Sequence, residues 1–160
     1  APSGVEVVPV ETTRDLYDAV LSRADGFDVI LQAAAPADYR VENPSGEKIK
    51  KTGDRLTLTL VENPDVARVL GERKRPGQVL VAFAAETGDH TENAREKRLK
   101  KNADLIVFND VTSPGAGFDV STNIVTLIDA SGEEALPQLP KRAVADLILD
   151  RVLTLCATAG

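Results

Sequence analysis

The sequence has no tryptophan, no methionine, one cysteine and one histidine, and aromatic residues make up 4% of its 160 positions. Each shortage removes a class of answer. A single thiol, Cys156, excludes an internal disulfide framework, the usual support of small exported domains. Its place in a C-terminal apolar pattern reads as a small buried hydrophobe rather than a nucleophile. With His90 as the lone imidazole and no Cys/His grouping, a zinc centre is not expected. A Ser-His-Asp triad has no G-x-S-x-G context to support it. No apolar run approaches the roughly 20 residues that span a bilayer, and no signal-peptide pattern opens the chain, so the expectation is a cytoplasmic protein without membrane contact. The two glycine-rich phosphate loops, G-x-G-x-x-G and G-x-x-x-x-G-K-[ST], are also missing. A phosphate cradle would have to be assembled from separate strand ends, or partly from outside this chain.

What is present is ordinary in bulk and uneven in detail. At 42% hydrophobic and 28% charged, the chain suits one globular domain with an aliphatic core. A net charge of −6 argues against sequence-independent nucleic-acid binding. Against that background Lys48, Lys50 and Lys51 form one basic cluster, and Arg95, Lys97, Arg98, Lys100 and Lys101 another. Local positive patches on an acidic chain suit a compact anion better than a polymer.

The periodicities predict an α/β fold with a mostly parallel sheet, helices on both faces and a hairpin excursion. Val5 to Val10 reads as a strand. Thr12 or Thr13 caps a helix whose apolar stripe is Leu16, Ala19, Val20 and Ala24, and Gly26 ends it. Phe27 to Ala35 is a nearly continuous apolar run, the pattern of a parallel strand covered on both faces. Residues 41–47 read as a mobile loop, and Leu56 to Leu60 alternates strictly, so a hairpin-like excursion carries the three lysines. Asn63 followed by Pro64 predicts a capped helix start, with Val66, Val69 and Leu70 facing the core. Val79 to Ala85 is a second buried strand. A helix capped by Asp89 and Glu92 then runs to about Asn102, with Ala94 and Leu99 as its core contacts. Leu105 to Phe108 and Ile124 to Ile128 are further strands flanking a loop at 112–123, and a closing helix starts near Lys141.

Three strand ends carry polar groups: Asp38, Glu86 and Asn109-Asp110. In a parallel sheet they share the carboxyl edge, where open α/β sheets bind ligands. The alanines before Asp38 admit close approach to the backbone. The lysine cluster reads equally well as a solvated hairpin edge and as a lid over phosphate, with the loop before it as hinge.

An ordered set of motifs then carries a resemblance: Ala33-Ala34-Ala35-Pro36-Ala37-Asp38-Tyr39-Arg40, Glu47-Lys48-Ile49-Lys50-Lys51, Glu62-Asn63-Pro64-Asp65, Phe83-Ala84-Ala85-Glu86-Thr87, Lys97 to Lys101, Asn109-Asp110-Val111 and Gly115-Ala116-Gly117-Phe118. Together, from about Val5 to Leu153, the chain resembles the phosphopantothenate–cysteine ligase domain of bacterial bifunctional coenzyme A biosynthesis proteins. The resemblance implies a CTP-dependent ligase joining 4′-phosphopantothenate to L-cysteine through an acyl-cytidylate. It implies CTP contacts at Gln32, Ala33, Ala34, Asp38, Lys48, Pro64, Asp65, Val66, Ala67, Phe83, Lys97 and Lys101, with Lys48 catalytic and Asp38 suited to hold Mg²⁺. It implies a homodimer, with the Leu56–Leu60 strand as a candidate interface, and a flavin-dependent decarboxylase partner domain that carries FMN elsewhere. The family domain is longer at its N-terminus, where it carries a first strand, a glycine-rich phosphate turn and a Thr-Asn-Arg-Ser-Ser-Gly-like segment. The expectation is therefore a single CTP-binding domain over 1–160 that needs upstream residues for catalysis. The rival reading is a non-catalytic nucleotide-binding or dimerising module.

Overall fold

The computed structural model describes residues 3–51, 53, 55–86, 91–110 and 120–158, with only the backbone of 86, 91–93 and 110. A five-stranded sheet runs β1 (Val29–Gln32), β4 (Val79–Glu86), β5 (Leu105–Asp110), β7 (Val125–Ile128) and β8 (Glu133–Ala135) in that spatial order. The first three are parallel and the last two antiparallel. Helices α1 (Thr13–Leu21), α2 (Val66–Arg73) and α3 (Thr91–Lys100) lie on one face, and α4 (Lys141–Thr158) on the other. Two antiparallel ribbons stand apart from this sheet: β2 (Tyr39–Val41) with β3 (Leu60–Glu62), and β6 (Thr122–Asn123) with β9 (Leu139–Pro140). The chain is thus the three-layer α/β arrangement that the patterning predicts.

The sheet centre follows directly from composition. β4 and β5 are aliphatic on both sides, so Leu80, Ala82, Ile106 and Phe108 pack under α1–α3, while Val79, Val81, Leu105 and Val107 pack under α4. Alternate residues of one strand therefore feed two cores. Thr12 caps α1 reciprocally: its hydroxyl accepts from the Asp15 amide at 3.1 Å, and the Asp15 carboxylate accepts from the Thr12 amide at 3.0 Å.

The ends of the sheet depart from expectation. Val5 to Val10 forms no strand and is exposed. An extended apolar run needs a hydrogen-bonding neighbour, and among the described residues β1 pairs only with β4. β1 is four residues rather than the nine of the apolar run, and it is an edge strand. Leu31, expected to be covered, is 42% exposed. Leu56 to Thr59 lies outside β3, so the alternating run yields strand only at its end. Leu99 is 69% exposed; among the described side chains of α3 only Ala94 reaches the core, and Ala103 just beyond the helix joins it there. β8 had no counterpart in the sequence reading. The predicted Asp89–Glu92 cap and the loop motif at 115–118 lie outside the described residues.

Candidate functional site

A cleft of about 170 Å³ opens at the carboxyl ends of β1 and β4. One wall is the turn after β1, where Ala34, Ala35, Ala37 and Asp38 are exposed and Pro36 is half-buried. The opposite wall is the first turn of α2 with the residues before it, Asn63 to Ala67. Gln32 and Phe83 close the floor from the two strands, and Lys101 stands at the end of α3.

Hydrogen bonds explain why these walls face each other. The Asn63 side-chain amide donates to the Ala37 carbonyl at 2.8 Å, and its backbone amide to the Asp38 carbonyl at 2.7 Å. The Arg40 guanidinium donates to the Glu62 carbonyl at 2.5 Å and to Asn63 Oδ1 at 3.3 Å. Asn63 therefore ties the turn after β1 to the segment entering α2. That corrects the expectation for Asn63, which does not cap the helix. Asp65 does, its Oδ1 accepting from the Arg68 amide at 3.1 Å. Asn63 is the site residue whose role the sequence reading missed. The Asn-Pro signal located it and assigned it the wrong partner.

Electrostatically the cleft centres on one ion pair. Lys101 Nζ donates to both carboxylate oxygens of Asp65, at 2.9 and 3.0 Å, with the lysine side chain only 24% exposed. Burial pushes the Asp65 carboxyl up, but hydrogen bonds from Lys101 and the Arg68 amide, with both charges, outweigh it and leave the group below its ordinary value. The cleft thus holds a fixed ammonium and a committed carboxylate. The exposed carboxylate of Asp38 sits on the rim.

The predicted contact residues Gln32, Ala34, Asp38, Pro64, Asp65, Val66, Ala67, Phe83 and Lys101 line this one cleft. Ala33 belongs to the same turn without lining it. Lys97 is half-buried one turn before Lys101 and outside the cleft. Lys48 lies in the exposed stretch between β2 and β3, in no regular element and also outside. β4 and β5 end in register at Glu86 and Asp110, whose side chains lie outside the described residues. No grouping of three metal-ligating side chains occurs among the described residues. Asp38 alone fits Mg²⁺ only in the common manner, one carboxylate completed by phosphate oxygens and water.

Fold and cleft together define an α/β domain with an open cleft at the carboxyl edge of its parallel strands, where such sheets bind small molecules, lined by alanines, a helix start and a lysine. Residues 1–155 match the family described as DNA/pantothenate metabolism flavoprotein C-terminal domain, and the chain belongs to that family. It is 41% identical over 161 residues to the coenzyme A biosynthesis bifunctional protein CoaBC of Bacillus subtilis, covering 99% of this chain and 39% of that protein. The crystal structure of a CoaBC C-terminal domain superposes with a TM-score of 0.79 at 35% identity, over 98% of this chain and 71% of that one. A Cab2 variant solved with phosphopantothenate-cysteine shares the fold, with a TM-score of 0.69 at 16% identity over 94% of this chain and 52% of that one. The chain spans about two fifths of the length of the curated relatives it matches. No described helix is long and apolar enough to cross a membrane.

Proposed function

We propose that this chain is the nucleotide-binding part of a ligase of coenzyme A biosynthesis, coupling 4′-phosphopantothenate to L-cysteine with CTP as activating substrate. The observation that carries the reading is convergence. Predicted contacts from four separated stretches, 32–38, 64–67, Phe83 and Lys101, meet in a single cleft of a chain whose family is named for pantothenate metabolism and whose relatives include CoaBC of coenzyme A biosynthesis.

In this reading the 4′-phosphopantothenate carboxylate attacks the α-phosphate of CTP, pyrophosphate leaves, and the cysteine amine then displaces CMP from the acyl-cytidylate. The alanine-lined wall seats the nucleotide against backbone groups, where a larger side chain would block approach. Phe83 packs against the base or walls its pocket. Lys101 supplies a fixed positive charge to phosphate or ribose oxygens. Lys48, carried by the β2–β3 excursion of its own or a neighbouring subunit, neutralises charge developing in the transition state. Mg²⁺ held by Asp38 and phosphate oxygens would supply charge neutralisation on the nucleotide. FMN belongs to a decarboxylase partner domain, and no residue of this chain is assigned to it. The excursion also exposes Leu56, Leu58 and Leu60, at 64%, 53% and 54%, a face suited to a second copy of the chain.

Calorimetry with CTP, ATP and UTP in the presence of Mg²⁺ tests the binding half. CTP should bind, and absence of binding by all three at millimolar concentration overturns the reading. Pyrophosphate release on adding phosphopantothenate and CTP to the full-length protein tests the catalytic half. Binding without release leaves only the non-catalytic module.

A further inference from the structure

Lys101 reaches the cleft from a position that is unusually well determined. α3 ends in a Schellman arrangement: the Asn102 amide donates to the Leu99 carbonyl at 3.1 Å and the Ala103 amide to the Arg98 carbonyl at 3.0 Å. Asn102 takes the left-handed conformation this requires, with φ +46°, the only non-glycine positive φ among the described residues. Lys101 is the residue just inside that turn.

The turn is clamped onto α2 at three points. The Asn102 side-chain amide donates to the Gly71 carbonyl at 2.9 Å, satisfying an acceptor in the last turn of α2. The Lys74 ammonium donates to the Asn102 carbonyl at 2.9 Å and is itself held by Asp104, at 2.8 and 2.9 Å. Between these bonds the backbones touch. A Cβ on Gly71 would stand 1.7 Å from the Lys101 carbonyl oxygen and 2.7 Å from its carbon. An ordinary carbon–oxygen contact is about 3.3 Å or more, so any side chain at 71 must drive the two backbones apart by roughly 1.5 Å. Those neighbours are backbone atoms, so a side-chain rotation cannot relieve the clash.

Gly71 has no contact with the cleft, yet α2 starts at one cleft wall with Asp65 and is fastened to the Lys101 backbone near its other end. The Asp65–Lys101 pair joins the same two segments, α2 and the end of α3, that meet at Gly71. We propose that Gly71 and Asn102 are positioning residues for the anionic ligand: bare Gly71 and the Asn102 amide seat the Lys101 backbone so that its ammonium stands in the cleft. The proposal rests on the nucleotide reading above and adds to it the device that sets the lysine in place.

The test is a double-mutant cycle read as CTP affinity by calorimetry on the full-length protein, with thermal stability recorded beside it. Lys101→Met should weaken CTP about tenfold, the scale of one charge-assisted hydrogen bond. Gly71→Ala should weaken it by a similar factor when Lys101 is present, and by less than about twofold in the Lys101→Met background. Asn102→Gly keeps the left-handed backbone but deletes the amide bond to Gly71. It should show the same dependence on Lys101 with a smaller loss, and it carries the comparison if Gly71→Ala does not fold. Equal losses with and without Lys101 mean a merely structural role and overturn the proposal, as does full affinity in both Gly71→Ala and Asn102→Gly. Failure of the unsubstituted protein to bind CTP is a different result, and overturns the nucleotide reading together with the clamp's role in it.

Discussion

The cleft and the lysine-bearing excursion were equally prominent in the sequence, and the fold treats them in opposite ways. The cleft residues sit on strand ends and a helix start that are hydrogen-bonded to one another through Asn63 and Arg40, with Asp65 capping the helix. The segment from 42 to 59 between β2 and β3 is in no helix or strand among its described residues, and Lys48 to Lys51 are exposed. A site residue on a rigid element is placed by the packing of that element, whereas one on an excursion is placed only when a ligand or partner draws it in. The first kind suits ground-state binding, the second an interaction made chiefly in the transition state.

That contrast is open to attack at either end. The largest expected effect is from filling the cleft. Ala34→Phe should lower CTP affinity by more than about a hundredfold, with thermal stability unchanged because Ala34 is exposed. Unaltered binding by calorimetry would remove the nucleotide from this wall. Next, Lys48→Gln should reduce pyrophosphate release by about a hundredfold while leaving the CTP dissociation constant within about threefold. Parallel losses of affinity and turnover would make the excursion part of the resting site and erase the difference between the two regions.

A third substitution probes a charge cluster remote from both. Asp129 is 7% exposed, accepts from the Ser131 amide and hydroxyl at 2.7 and 2.6 Å, and pairs with Arg151 at 2.6 Å; Arg151 also pairs with Glu134. Asp129→Ala should cost about 2 kcal/mol in urea unfolding, because it leaves Arg151 and the β7–β8 turn short of an acceptor, with CTP affinity unchanged. Loss of affinity there would show the cleft to be coupled to the far side of the sheet.

The smallest effect concerns acid. Asp65 has a folded-state pKa below its ordinary value, so its stabilisation is complete above the unfolded value of about 4 and is lost as pH falls through the depressed one. Asp65→Asn should flatten the acid limb of the stability curve by less than about 1 kcal/mol, since the pair is partly exposed and screened. An unchanged acid limb would mean that the Asp65–Lys101 pair contributes nothing to the free protein.

Much of the fold could be read from pattern. β4, β5 and α4 fall where continuous apolar runs and helical spacing put them, because two-sided burial leaves a direct trace in composition. Thr12 behaves as the cap it resembles, a purely local arrangement. The errors lie where the outcome depends on a neighbour. Val5 to Val10 and Leu56 to Thr59 have strand composition but, among the described residues, no strand to pair with. Phe27 and Leu31 read as buried but lie at a sheet edge. For the site, motif resemblance named nine cleft residues, while Asn63 was noticed for the wrong bond; Asn102 was read only as the approximate end of a helix, and nothing in the sequence marked Gly71.

By itself, then, the sequence determined which stretches are apolar on one side or two, where α1 and α4 begin, and which family the motifs belong to. Those properties are local, or are carried by residue order. Only the tertiary structure decided that Asn63 bonds across to the turn after β1 while Asp65 caps α2, that Lys101 and not Lys48 stands in the cleft, and that a glycine four residues beyond Ala67 is pressed against a lysine carbonyl. Apart from the local Asp65 cap, each of these is a contact between segments far apart in the chain, and a spacing rule along one segment cannot encode it.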